Sequence, residues 1–125
     1  MIRPLRLVAN SIMAFTVALV FAVIAGCSDD ARTEQPVLSP ELAQGKQIWE
    51  GTCQVCHLSG IAEAPPIGNK KAWQKRIAQG EAVLIQHAIE GFSGNFGTMP
   101  ARGGNATLTD EEIALAVRYM VFASQ

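Results

Sequence analysis

The stretch TCQVCHLSG, Thr52 to Gly60, places two cysteines and one of the chain's two histidines within five consecutive residues. Three kinds of site use such a cluster: a redox-active thiol pair, part of a zinc site, or a point of covalent haem attachment. Each demands a different architecture around it, so the remainder of the chain has to discriminate.

A thioredoxin-like CxxC opens a helix after a strand in a βαβ setting, and this chain carries helix signals instead. Ser39-Pro40 reads as an N-cap with proline at the first helical position, and Leu42, Gly45, Ile48 and Trp49 recur at helical spacing, delivering the chain to Cys53. A second helix is expected from about Lys70 to Gln79, with Trp73 and Ile77 one turn apart and Gly80 ending it. A third is expected from about Glu81 to Glu90, with Val83, Leu84, His87 and Ala88 on one face and Gly91 ending it. The last is the clearest: Thr109 and Glu112 form a capping box, and Ile113, Ala116, Val117 and Met120 make an apolar stripe reaching Ala123. No segment alternates at period two, so the fold class is all-α.

Zinc needs four ligands, and Cys53, Cys56, His57 and His87 are the only soft candidates; Cys56 and His57 are adjacent and hard to aim at one tetrahedron. Haem attachment uses every residue of the cluster. In C-x-x-C-H the two cysteines, one helical turn apart, reach the two vinyl groups, and the following histidine, His57, presents its imidazole to iron.

The beginning of the chain agrees with that chemistry. Arg3 and Arg6 precede the apolar run SIMAFTVALVFAVIA, Ser11 to Ala25, which reads as an export signal; an uncleaved membrane helix is the competing reading. Ile24, Ala25, Gly26 and Cys27 fill the four places of a sequence that resembles the lipobox of bacterial lipoproteins, where lipid is attached to the cysteine thiol and cleavage precedes it. Lipidation of Cys27 also resolves the odd cysteine among three. The chain therefore divides into a lipoprotein-type signal peptide (1–26), a lipidated cysteine and flexible tether (27–39) and a folded domain (40–125). This places it on the periplasmic side of a bacterial envelope, anchored to the outer or inner membrane. Losing Arg3 and Arg6 leaves 8 basic against 11 acidic residues, without the clustered positive charge that a nucleic-acid partner requires.

What fills the sixth iron position decides function. Met99, Met120 and His87 are the candidates. Met99 lies in NFGTMPARGGN, where glycines and Pro100 permit a loop to lay a thioether across a haem face. Met120 sits on the apolar stripe of the last helix, where core packing explains it, and His87 is mid-helix, where an ordinary histidine is the simpler reading.

The segments CQVCHLSGIAEAPPIGNKKAWQKRIAQG and GTMPARGGNATLTDEEIALAVRYM resemble the small class I c-type cytochromes, and among them the cytochrome c5-like group, over about Leu42 to Met120. The extra cysteine pair of many c5-type proteins is absent from RGGNATL. The resemblance implies the class I cytochrome c fold, with crossing N- and C-terminal helices and one covalent haem c, held by Cys53 and Cys56 through thioethers, by His57 as proximal ligand and by Met99 as distal ligand. It also implies that the Pro65 carbonyl accepts the His57 Nδ1 proton, with Pro66 as fallback. Gly45, Trp49 and Tyr119 match the contact where the terminal helices cross. Trp73 and Arg76 look suited to the haem propionates, with core packing as the other reading of Trp73 and a solvated helix face as that of Arg76.

A six-coordinate haem has no open site for oxygen or peroxide and should carry single electrons between redox protein partners, with no small-molecule substrate and no enzymatic activity. The alternatives are a haem-bearing electron-transfer subunit of a periplasmic oxidoreductase complex and a sensor with a displaceable sixth ligand.

Overall fold

Chain entry into the fold is set by Ser39, whose hydroxyl accepts the Leu42 N–H at 3.3 Å, and by Pro40, which needs no partner for a missing donor. Helix α1 spans Pro40–Ile48 and continues without a break through a π-helical turn, Trp49–Cys53, into the single turn α2, Gln54–His57. The computed structural model describes residues 37–95 and 97–125; the export-type segment, Cys27 and the tether up to residue 36 lie outside the described residues. Among the described residues, no helix is long and apolar enough to cross a membrane.

The π turn has no signal in the sequence, and it matters for the site. In a regular α-helix, residues four apart drift round the axis by about 40° per step, which over three steps would swing His57 away from the face carrying Gly45. A wider turn rotates less per residue. The insertion between Trp49 and Cys53 thus counters the drift along Gly45, Trp49, Cys53 and His57, of which all but the half-buried Cys53 are buried.

Three further helices follow: α3 (Lys70–Ile77), α4 (Glu81–Glu90) and α5 (Asp110–Ala123). Helix α3 is capped by Asn69, whose Oδ1 accepts the Ala72 N–H at 3.1 Å, and it ends two residues earlier than the sequence suggests. The capping box of α5 is complete: the Thr109 hydroxyl accepts the Glu112 N–H at 3.2 Å and the Glu112 carboxylate accepts the Thr109 N–H at 2.8 Å. Its buried residues, Ile113, Ala116, Val117, Met120 and Val121, are the predicted stripe with Val121 added. On α4 the packed face is Leu84, Ile85, Ala88 and Ile89, while Val83 is exposed. The run AVLIQHAI is apolar in two helical registers, and packing on α5 selects one of them.

Helices α1 and α5 cross at Gly45. A Cβ there would lie 2.2 Å from the Leu115 carbonyl oxygen and 3.1 Å from the Tyr119 Cβ, so only glycine permits this approach. One turn on, Trp49 and Tyr119 meet with ring centroids 5.7 Å apart. The core has two clusters. One gathers Ile77, Leu84, Met99 and Leu108 on Ala88, Ile113, Val117 and Val121. The other gathers Cys53, Ile67, Ile77 and Tyr119 on Trp49, Trp73 and Met120, and Ile77 is common to both.

Between α4 and α5 the structure adds what the sequence does not announce, a two-residue antiparallel pairing of β1 (Phe92–Ser93) with β2 (Thr98–Met99), Phe92 opposite Met99. Two residues cannot display a period-two pattern, and so short a pair leaves the class all-α.

Candidate functional site

Cys53 ends the π turn and Cys56 lies within α2; both are half-buried free thiols. Burial pushes the Cys53 thiol above its ordinary range, the side chain's own backbone hydrogen bond opposing this in part. His57, 8% exposed, closes the motif.

The loop that follows grips His57 from two sides. Its Nδ1–H donates to the Pro65 carbonyl at 3.0 Å, and its own carbonyl accepts the Ile67 N–H at 2.7 Å. Burial pulls the imidazole below the ordinary histidine value, the Pro65 bond works against that shift, and the positive charge of Arg76 adds to it. The ring is therefore held neutral, with its proton on Nδ1 and Nε2 as the bare nitrogen, which is the tautomer a metal ligand needs. The neighbouring Pro66 carbonyl points elsewhere and accepts the Trp73 indole N–H at 2.8 Å.

That last bond ties Trp73 to the same loop. The side chain is 5% exposed, its ring centroid stands 6.2 Å from that of His57, and its one donor reaches Pro66, so it backs the histidine and the loop. Arg76 is exposed on α3; one of its nitrogens donates to the Ala72 carbonyl at 2.5 Å. Its other donors remain available. Cys53, His57, Pro65, Trp73 and Arg76 are thus assembled around the end of the first helix. Met99 belongs to the other core cluster, half-buried against Ala88 and α5. Met120 is 5% exposed between Trp49 and Trp73, and His87 stacks on Phe92 at 4.3 Å between centroids.

Several braces of the site had no clear signature in the sequence. Thr52, beside Cys53, accepts from the Asn105 amide at 3.3 Å, and Ser124, 2% exposed, accepts the Gly68 N–H at 3.0 Å. Arg102 donates to the Leu108 carbonyl at 2.7 Å and pairs with Asp110. Ala62 and Glu63 adopt left-handed backbone, at φ 54° and 63°, and a Cβ on Gly97 would lie 2.4 Å from the Ala62 carbonyl oxygen. The loop after His57 therefore touches the segment two residues before Met99.

These residues fit a covalently held porphyrin. Two free thiols lie one helical turn apart, a neutral imidazole follows them, and the large aliphatic side chains Val55, Leu58 and Ile61 surround the motif, each more than half exposed. A family model described as Cytochrome C oxidase, cbb3-type, subunit III matches residues 40–120. Cytochrome c-555 of Chlorobaculum tepidum is 46% identical over 85 residues, 68% of this chain and 79% of that protein. Cytochrome c5 of Ectopseudomonas mendocina is 33% identical over 70 residues, 54% of this chain and 76% of that protein. Identity is thus higher to a c-555 protein than to a member of the c5 group singled out by motif. A solved cytochrome c, from a structure titled as an electron transfer complex of nitrite reductase with cytochrome c, is 36% identical with a TM-score of 0.59, covering 70% of this chain and 99% of that one. A motif-bearing helix crossed by α5 at Gly45, a neutral buried histidine and relatives of this kind make one conclusion: the chain belongs to the small class I c-type cytochromes, has their all-α fold and carries a covalently bound haem c.

Proposed function

We propose that this cytochrome carries single electrons between protein partners in the bacterial envelope, through a haem ligated by His57 and Met99 and bonded through Cys53 and Cys56. The observation that carries the reading is the His57 ring, whose Nδ1–H is spent on Pro65 so that Nε2 is the nitrogen left to coordinate. When bound, the haem supplies a one-electron iron couple, whose potential a thioether ligand raises. The protein's own part is to hold the imidazole neutral and fixed in rotation, to keep the Met99 segment braced against α4 and α5, and to limit water near the ring through Trp73 and Ile67. Were His57 and Met99 both to hold the iron, the haem would offer no free site to a substrate, and no substrate turnover is assigned.

Export by residues 1–26 and acylation of Cys27 would tether this domain to the periplasmic face of a membrane, with the polar segment up to Ser39 as the leash. The description of the matching family names an oxidase subunit, which is the basis for a second reading, a haem-bearing subunit of a complex. Co-purification from native membranes separates the two: a stoichiometric partner supports the subunit, and a free haem protein supports the carrier.

The ligand set is tested by optical spectroscopy of haem-loaded protein. The wild type is expected to be low-spin with a methionine-to-iron charge-transfer band, to bind carbon monoxide slowly when reduced, and to lose the band in Met99→Ala while retaining it in Met120→Ala. Loss in Met120→Ala alone would reassign the ligand.

A further inference from the structure

Seven lysines and arginines lie within residues 37–125. Three are in ion pairs: Lys46 with Glu50 at 3.7 Å, Arg102 with Asp110, and Arg118 with Glu81 at 2.9 Å. The other four, Lys70, Lys71, Lys75 and Arg76, have no ion-pair partner among the described residues, and all stand exposed on the eight-residue helix α3. This concentration occurs in a domain that is close to neutral as a whole.

The placement works against the helix that bears it. Acidic side chains belong in a first helical turn, where they meet the positive end of the helix dipole. Glu41 in α1, Glu81 in α4 and Asp110, Glu111 and Glu112 in α5 follow that rule, whereas α3 has no acid there and carries Lys70 and Lys71 instead. Lys71 and Lys75, four residues apart, add a like-charge pair on the surface. Two local rules broken in one short helix, in a chain that obeys them elsewhere, mark a surface shaped by something other than stability.

That surface adjoins the redox site. The opposite side of α3 supplies Trp73, 6.2 Å from the His57 ring, and Ile77, shared by both core clusters. Beside it runs an open groove of about 390 Å³, lined by Lys70, Lys71, Gln74, Ile77, Ser124 and Gln125, where ammonium groups and an amide stand beside an apolar wall. The groove suits a carboxylate side chain reaching in from another protein. Resting on the electron-carrier reading above, we infer that the Lys70–Lys71–Lys75 face of α3 is the docking surface for an acidic redox protein, guiding it to the helix that backs the proximal histidine.

The test uses haem-loaded protein exported behind a cleavable signal peptide that replaces residues 1–27, so that kinetics are measured in solution, with reduced plant-type ferredoxin as the acidic protein probe and a neutral hydroquinone as the control reductant. The wild-type rate with ferredoxin should fall at least about tenfold as ionic strength rises from about 0.01 to about 0.3 M. K70Q/K71Q/K75Q should lose about tenfold at low salt and most of the salt dependence. Q44E/Q47E/Q86E, which changes net charge equally at exposed positions on α1 and α4, should stay within about twofold of wild type. Equal losses in the two variants would show that only total charge matters and would overturn the assignment, as would a ferredoxin rate indifferent to salt. Sedimentation with phosphatidylcholine vesicles, with and without phosphatidylglycerol, covers a lipid occupant: lysine-dependent binding to the anionic vesicles with ferredoxin rates unchanged would overturn it in favour of a membrane surface. Failure of both ferredoxin and the hydroquinone to reduce any form would instead refute the electron-carrier reading.

Discussion

Gly45 and Gly51 lie six residues apart on the same continuous helix, and replacing each by alanine should move stability in opposite directions. At Gly45 the new methyl would sit 2.2 Å from the Leu115 carbonyl oxygen and 2.8 Å from its carbon. The obstacle is α5 backbone, which cannot swing aside as a side chain would, so the two helices must separate by about 1 Å to restore van der Waals distance. That separation also loosens the Trp49–Tyr119 contact. Overpacking of this kind costs about 1–3 kcal/mol, with an immovable neighbour at the upper end, and the gain in helix propensity from glycine to alanine returns about 1 kcal/mol. The net loss is about 2 kcal/mol, or about 8–16 °C in Tm for a domain of this size. At Gly51 nothing lies within 4 Å of the added methyl, so only the propensity gain remains, about 0.5–1 kcal/mol of stabilisation. Thermal unfolding of the haem-loaded proteins, followed by far-ultraviolet circular dichroism, reads both. A Gly45→Ala protein as stable as wild type would refute the helix crossing, and equal losses at the two sites would refute the claim that contact with α5 sets the difference.

Three other substitutions probe the loops. Ala62→Gly should raise stability by about 0.5–1 kcal/mol in denaturant unfolding, because glycine relieves the left-handed backbone and gives back part of that gain in chain entropy. Gly97→Ala pushes a methyl against the Ala62 carbonyl, 2.4 Å away, and should cost about 1–3 kcal/mol while weakening the methionine charge-transfer band, since Met99 is two residues further on; an unchanged band would separate that contact from ligand geometry. Ser124→Ala leaves the Gly68 N–H without its 3.0 Å acceptor and should lower stability by about 1–3 kcal/mol, measured by the same unfolding curves.

The helices and the motif were legible because their causes are local. A capping box, a proline at a first helical position and a C-x-x-C-H sequence act within a few residues of where they are read, and Thr109, Pro40 and the Cys53–His57 turn stand where that chemistry puts them. The Pro65 carbonyl bond to His57 is reachable only through family resemblance, and the Pro66 carbonyl that accepts the Trp73 indole N–H has a direction no spacing rule encodes. The π turn is a similar case: nothing in WEGTC forbids an ordinary α turn, and the wider one keeps Cys53 and His57 on the face that carries Gly45 and Trp49.

What remained hidden shares one property, that its partners are backbone atoms or side chains far away in the sequence. Gly97 meets the Ala62 carbonyl, Ser124 meets the Gly68 N–H, and Asn105 reaches Thr52 across 53 positions. Every residue type presents the same backbone groups, so ties to them leave no compositional trace; only the small or polar member of each pair is visible, and it looks like ordinary loop chemistry. Yet these ties connect the segments on which the site depends. The loop after His57 is tied to the end of α5 through Ser124 and touches the Met99 segment through Gly97, while the segment after Met99 is held to the attachment turn through Asn105 and Thr52. The proposed ligands, a histidine and a methionine 42 positions apart in the numbering, can serve one iron only if the segments carrying them are fixed to each other and to the same helices. In this fold a glycine, a serine and an asparagine make those connections.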